Sequence, residues 1–294
     1  MATYKTYDTI GIREDLQDAI YDISPTTTPF MSTVGRTKAK NTYHECQTDS
    51  LADVNLANAQ VEGADATSAV LTPTTRVGNY TQISDKVIQV STTDDVVDKA
   101  GRSTETAYQL AKASAEIKRD MESILLSDQA QSAGTSSTAR NLGGLASWIT
   151  TNTVNTAGGA LTEDMLKEAV LKAYNSGGEP DVLLVSPANK QVVSTFAGIA
   201  EQRYQAPKSS PTTIIGTADV YLSDFGSVNV VPDRFLSDDY SFVLDPSMAS
   251  VAYLRPFKSQ KLAKMGDSEK HLLNVEYTLV VNNESAHAMM SDET

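Results

Sequence analysis

The sequence predicts an α+β protein, and three patterns along the chain support that class. The segment from Ser103 to Asp128 repeats its apolar residues at the spacing of one helix face. The segment from Leu273 to Val281 alternates, so that every second residue is apolar, which is the period of a strand. Between the two, helix-like and strand-like segments follow one another through residues 155–251. Helices and strands are therefore expected to pack together in one chain.

Composition excludes several classes of protein. The 294 residues suffice for one to three domains, and a hydrophobic content of 40% is ordinary for a globular protein. A formal net charge of -13 argues against a surface that grips nucleic acid, because such surfaces cluster lysine and arginine. The single cysteine, Cys46, excludes an intrachain disulfide framework. We find neither a signal-peptide core nor a run of about 18 apolar residues, so we expect no membrane association.

The first 40 residues are predicted to form a short helix followed by an arm. Apolar side chains between Ile10 and Ile23 share one helical face, and Ser24-Pro25 ends that pattern. Residues 26–30 combine proline with threonine, which favours an extended strip. Phe30 and Met31 would anchor this strip.

Residues 41–85 are predicted to form a long hairpin. Strand-like segments surround Tyr43 and Tyr80, and the tip from Leu51 to Ala69 has no aromatic residue. Such a tip has too little apolar area for a core of its own, and an isolated two-stranded ribbon is marginally stable in water. We infer that its missing partners are other subunits.

Residues 103–128 are predicted to form one helix of about 26 residues, roughly 39 Å long. Ser103 is the expected N-cap, with Glu105 in the first turn. The apolar face would comprise Ala107, Leu110, Ala111, Ser114, Ile117, Met121, Ile124 and Leu125. Lys112, Glu116, Arg119 and Glu122 would occupy the other faces.

The second half predicts a compact body. Helices are expected at Thr162–Tyr174 and from Ser186 to Phe196, around a buried strand at Val182–Val185. Further strands are expected at Ile214–Ile215, Val220–Leu222, Val228–Val231, Phe242–Leu244 and Val251–Leu254. The final strand, Leu273 to Val281, should lie beside the long helix.

One motif suggests catalysis. Asp94, Asp95 and Asp98 reproduce the DDxxD magnesium motif of prenyl-transferring synthases, so a metal-dependent transferase is one alternative function. That chemistry needs a second aspartate cluster and an all-helical cavity, whereas this motif follows a strand. A solvated acidic turn is the favoured interpretation. His44 and Cys46 could supply two metal ligands, but no third is nearby, so we expect no metal, no cofactor and no catalytic residue.

An ordered set of short patches resembles the major capsid proteins of tailed bacteriophages, which have the HK97-like fold. The patches are Thr28–Gly35, Arg140 with Gly143-Gly144-Leu145 and Trp148-Ile149, Pro180–Lys190, Asp245-Pro246, Arg255-Pro256-Phe257, Gly266-Asp267, and Glu276 through His287. The resemblance implies an N-arm (1–40), an E-loop (41–85) and a peripheral domain (86–154) that contains the spine helix (103–128). It also implies an axial domain (155–251), followed by return strands to the peripheral domain and a C-terminal tail (252–294).

The function that this resemblance implies is structural rather than enzymatic. Copies of the chain would form hexamers and pentamers of an icosahedral head shell around a double-stranded DNA genome, without sequence-specific DNA binding. The shell would belong to the virion and would assemble in the host bacterial cytoplasm. A separate scaffolding protein, a portal and, in some members, decoration proteins would be its partners. The encapsulins, cellular shells with the same fold, are the alternative within this class.

The same resemblance points to residues of the assembly interface. Pro29 and Phe30 in the arm and six hairpin residues are the candidates: Tyr43, Val54, Leu56, Val61, Arg76 and Tyr80. Members that cross-link their subunits covalently use an E-loop lysine. No lysine occurs between Asn41 and Asp85, so a shell without covalent links is expected.

Overall fold

The structure is a computed structural model that describes residues 24–63, 65, 71–99, 101, 103–155, 158–196, 220–264 and 266–292. The helix predicted before Ile23 and the strand predicted at Ile214–Ile215 lie outside these residues. The described part contains a four-stranded sheet, a six-stranded sheet and a two-stranded hairpin, in an α+β arrangement. None of its helices is both long and apolar enough to cross a bilayer.

The N-arm departs from the predicted extended strip. Helix α1 (Pro29–Thr33) begins at the proline, whose fixed φ and missing N–H suit the first helical position. Phe30 and Met31 are buried, as expected of anchors. Strand β1 (Gly35–Lys38) follows and is exposed along its whole length.

The hairpin consists of strands β2 (Tyr43–Thr48) and β3 (Thr75–Tyr80), which pair antiparallel. Strand β4 (Gln82–Ser91) continues from it into the body of the subunit, and the short helix α2 (Thr92–Val96) ends that strand.

The long helix is α3 (Glu105–Leu126), whose 22 residues are fewer than predicted and span about 33 Å. Its N-cap is Thr104 rather than Ser103. The predicted face is correct in the second half, where Ile117, Met121 and Leu125 are buried.

The predicted face of α3 is wrong elsewhere. Ala107 and Ala111 are exposed and Leu110 is half-buried. Alanine side chains bury little area, so their spacing specifies a face weakly. Glu122, assigned to a polar face, is completely buried.

The four-stranded sheet has the order β1–β10–β11–β4, with β10 at Ala249–Lys261 and β11 at Ser268–Val281. Strand β1 runs parallel to β10, and the other pairs are antiparallel. The alternation predicted for the last long strand is confirmed, because its apolar residues join the core formed with α3: Leu273, Val275, Tyr277, Leu279 and Val281.

The six-stranded sheet has the order β5–β12–β9–β6–β8–β7. Its strands are β5 (Thr153–Asn155), β6 (Val182–Val185), β7 (Val220–Ser223), β8 (Gly226–Pro232), β9 (Tyr240–Leu244) and β12 (Ala288–Ser291). Helices α5 (Glu163–Asn175) and α6 (Pro187–Val193) contribute Leu166 and Val193 to a core with Leu183 and Val243. Helix α4 (Leu145–Trp148) precedes β5.

The end of the chain divides between the two sheets. Return strands and a C-terminal tail are predicted for residues 252–294, and β10 and β11 lie in the four-stranded sheet. Strand β12 lies between β5 and β9 in the six-stranded sheet. It carries Met289, which belongs to the same core as Phe30 and Ile117, so this core joins the two sheets.

Candidate assembly surface

The hairpin is narrow and has only two strands among the described residues. Tyr43 stands opposite Tyr80 at its base, with ring centroids 4.5 Å apart, and both side chains are half-buried. Arg76 forms an exposed ion pair with Glu45 across the strands. Gly78 is closely packed, since a Cβ there would lie 2.8 Å from the His44 carbonyl oxygen.

The root of the hairpin is fixed to the body by Asn79, which is buried. Its Nδ2 donates to the carbonyl oxygens of Gly143 at 2.9 Å and Leu279 at 3.0 Å. Its Oδ1 accepts from the Gly143 amide at 2.7 Å. One side chain therefore joins β3, β11 and the segment that follows α3.

A second set of bonds surrounds the buried carboxylate of Glu276 on β11. It accepts from the Thr81 hydroxyl at 2.8 Å and from the Arg255 Nε at 2.7 Å, and it pairs with Arg140. The Arg140 Nε also donates to the Thr81 carbonyl oxygen at 2.6 Å. Two guanidinium groups thus compensate the cost of burying this carboxylate.

Glycine packing holds the segment after α3 against the end of that helix. A Cβ on Gly144 would lie 2.2 Å from the Ser127 carbonyl oxygen, so no larger residue fits there. The Gln129 side chain donates to Gln82 Oε1 at 2.9 Å and to the Leu142 carbonyl oxygen at 2.7 Å. The start of β4 is therefore fixed to the same segment.

The tip of the hairpin, which in the structure comprises residues 49–74 between β2 and β3, has a different character from its root. Leu51 is 98% exposed and Leu56 96% exposed, and three further apolar residues are nearly as exposed: Val54, Val61 and Leu71. The described tip also carries four acidic residues and no basic one: Asp49, Asp53, Glu62 and Asp65. Burial of each large aliphatic side chain would contribute about 1.5–3 kcal/mol, so exposed groups of this kind mark interaction surfaces.

The predicted interface residues of the hairpin lie in three environments. Val54, Leu56 and Val61 lie on the exposed tip, and Arg76 lies on the exposed part of the hairpin. Tyr43 and Tyr80 contact each other at the root.

The arm residues differ from these. Pro29 is partly buried, and Phe30 is 0% exposed. Assigning Phe30 to an interface is wrong, because helix α1 turns its ring into the subunit's own core.

The aspartate motif supports the start of α3. The Asp95 carboxylate accepts from the Thr106 amide at 3.0 Å and the Thr106 hydroxyl at 3.1 Å. These bonds lower the pKa of Asp95 and cap the helix. Asp94 pairs with Lys99 at 2.8 Å, and Asp98 is exposed. Among the described residues, no group of three or more histidine, cysteine, aspartate or glutamate side chains could hold a metal ion.

Four residues of the root, Arg140, Gly143, Gly144 and Glu276, belong to the patches that carry the resemblance, but the sequence alone assigns them no role in fixing the hairpin. Buried polar residues that fix a loop leave no periodic pattern in the sequence. Only their pairing across up to 200 positions reveals what they do.

Comparisons with known proteins give one consistent result. The sequence profile described as SU10 major capsid protein matches residues 2–294. A protein described as the major capsid protein of Escherichia phage Phieco32 is 29% identical, over 98% of this chain and 96% of its own length.

Solved structures show the same fold at low sequence identity. The capsid structure of cyanophage P-SCSP1u has a TM-score of 0.64 at 10% identity, and the match covers 96% of this chain and 93% of that one. The SrpI encapsulin of Synechococcus elongatus PCC 7942 has a TM-score of 0.61 at 15% identity, with 99% and 96% covered.

Proposed function

Because the chain belongs to the SU10 major capsid protein family and is a phage major capsid protein of the HK97-like fold, we propose that its hairpin tip joins neighbouring subunits in an icosahedral head shell. The contrast between the root and the tip of the hairpin is the observation that supports this proposal. The root is fixed by buried hydrogen bonds to Gly143 and Leu279. The tip exposes five large aliphatic side chains. A rigid base that holds an exposed apolar end suits attachment to a second copy of the chain.

We further propose that the copies form hexamers and pentamers and that the shell encloses double-stranded DNA. The formal charge of -13 on each subunit favours a wall that does not hold DNA by sequence-specific contacts. A separate scaffolding protein, a portal and decoration proteins are the proposed partners. Assembly in the host cytoplasm is part of the same proposal.

The encapsulin alternative rests on a shared fold. At 15% identity the encapsulin match carries no functional argument, whereas the family profile and the Phieco32 relative both concern phage capsids. Packaging separates the two functions: a phage head subunit is expected in particles that contain DNA, and an encapsulin in particles that contain a cargo enzyme.

Removal of the tip tests the proposed role of the hairpin. Deletion of residues 52–66, or a triple change of Leu51, Val54 and Leu56 to serine, is expected to leave a folded subunit with a cooperative melt and to abolish particles in electron micrographs. The matched control changes Leu171 and Leu222, which are exposed apolar residues outside the hairpin, to serine. Normal shells from the tip variants, or loss of shells in the control alone, would contradict the proposal.

A further inference from the structure

Two acidic side chains meet where the N-arm, the long helix and the six-stranded sheet come together. Glu122 lies near the end of α3, and Asp233 follows directly after β8. Both residues are 0% exposed. Two neighbouring buried carboxyl groups are uncommon, because burial and mutual repulsion both disfavour their ionised forms.

The Glu122 carboxyl group binds backbone amides of the N-arm. One oxygen accepts from the Phe30 amide at 2.6 Å, and the other accepts from the Met31 amide at 3.0 Å. These amides belong to the first turn of α1, where helix donors lack partners within the helix. The docked arm also places the Phe30 ring in the core.

The Asp233 carboxyl group is fixed on the other side. Its Oδ1 accepts from the Phe235 amide at 2.9 Å, and its backbone amide donates to the Val185 carbonyl oxygen at 2.8 Å. Its Oδ2 is buried and has no donor among the described residues. The charge of Asp233 raises the pKa of the neighbouring Glu122 carboxyl group. Ionised carboxylates only accept hydrogen bonds, so a hydrogen bond between these two groups would require one proton.

The charges around the pair do not supply a counter-ion. In the described ranges, neither carboxyl forms an ion pair with a lysine or an arginine. Arg119, one turn earlier on α3, lies over the Phe235 ring at 5.4 Å. Tyr253 on β10 is a further titratable group that interacts with Glu122, and Arg36 on β1 interacts with Tyr253. Arg234, next to Asp233, is exposed.

We propose that Glu122 and Asp233 share a single proton and that this proton holds the N-arm on the long helix. Loss of the proton would leave two negative charges in contact inside the subunit. The two charges could separate only by a movement of the chain. Either α1 would leave Glu122, or the segment at Asp233 would shift. The pair is therefore a proton-dependent latch on the arm.

The electrostatics give the pH range of this latch. Burial, followed by the charge of Asp233, raises the pKa of Glu122 to about 8, and burial raises the pKa of Asp233 as well. Because the pKa of Glu122 is higher in the docked state than in the open state, the latch is strongest at low pH and weakens as pH rises towards 8. Burial lowers the pKa of His287 to about 4 from its ordinary value of 6.5. This histidine therefore changes the stability of the subunit only below about pH 6.5. A window from about pH 6.5 to 8 therefore isolates the pair.

Hydrogen exchange at the Phe30 and Met31 amides of the unassembled subunit tests the latch without any need for shells. After correction for the intrinsic exchange rate, their opening constant is expected to rise up to about tenfold per pH unit between pH 6.5 and 8. Glu122→Gln removes the charge but can still accept from an amide and donate to Asp233. It should show less than about a twofold rise over the same range.

Two further measurements decide the case. Asp233→Asn should also remove the pH dependence, and it serves if Glu122→Gln does not fold. Amides in α5, such as that of Leu166, should show no such dependence in any variant. A wild-type opening constant that does not change with pH, or an equal rise in the wild type and a folded neutral variant, would overturn the proposal.

Discussion

Replacing Asn79 by alanine is expected to loosen the hairpin root. The side chain makes three hydrogen bonds, two to Gly143 and one to the Leu279 carbonyl oxygen, all in the interior. A typical hydrogen bond contributes about 1 kcal/mol net to stability, so the three together contribute about 3 kcal/mol. A buried donor left without a partner costs about 1–3 kcal/mol, and the Gly143 amide would be such a donor. The free energy of unfolding should therefore fall by about 4–6 kcal/mol.

Denaturant unfolding of the unassembled subunit measures this change. Trp148, the only tryptophan, lies beside Gly143 and provides the fluorescence signal. Asn55→Ala is the matched control, because the Asn55 Oδ1 also accepts from an amide, that of Ala57 at 2.9 Å, but on the exposed tip. This control should change stability by less than about 0.5 kcal/mol. A loss below about 1 kcal/mol for Asn79→Ala would refute the view that these bonds fix the root.

Three further predictions concern the helix, the shell and its charge. Ile117→Asp places a charge at a residue that is 2% exposed and should give unfolded or insoluble protein. Lys112→Asp, on the exposed face of the same helix, should be tolerated. Equal solubility of the two variants would contradict the assigned face. Because the hairpin has no lysine, particles boiled in detergent should run as one band near 31.6 kDa, and a ladder of larger bands would count against this. Raising sodium chloride from about 10 to about 150 mM shortens the screening length from roughly 30 to roughly 8 Å and should promote shell formation, as measured by light scattering. Shells that dissociate over that range would mean that ion pairs between subunits outweigh the net repulsion. Pairs between the acidic hairpin tip of one subunit and the exposed Arg36 and Lys38 of its neighbour are an example.

Periodic segments were predictable from the sequence because each carries its own local signal. The alternation from Leu273 to Val281 identified both the strand and its buried face. The spacing of Ile117, Met121 and Leu125 identified α3 and the face of its second half. The hairpin was also recognisable, since its tip lacks the residues needed for a core.

What the sequence could not supply were partners that lie far apart in the chain. The N-arm amides donate to Glu122, which lies about 90 positions away in the sequence. Glu122 is assigned to a polar helix face from the sequence, but the docked arm helps to bury it. Asp95 looks like part of a metal motif until the start of α3 is placed beside it. Strand β12 pairs with β5 and β9 in the six-stranded sheet, and its four residues alone do not identify these partners. Local periodicity fixes which face of an element is apolar, whereas burial of a polar group depends on donors and acceptors that only the folded chain brings within hydrogen-bond distance.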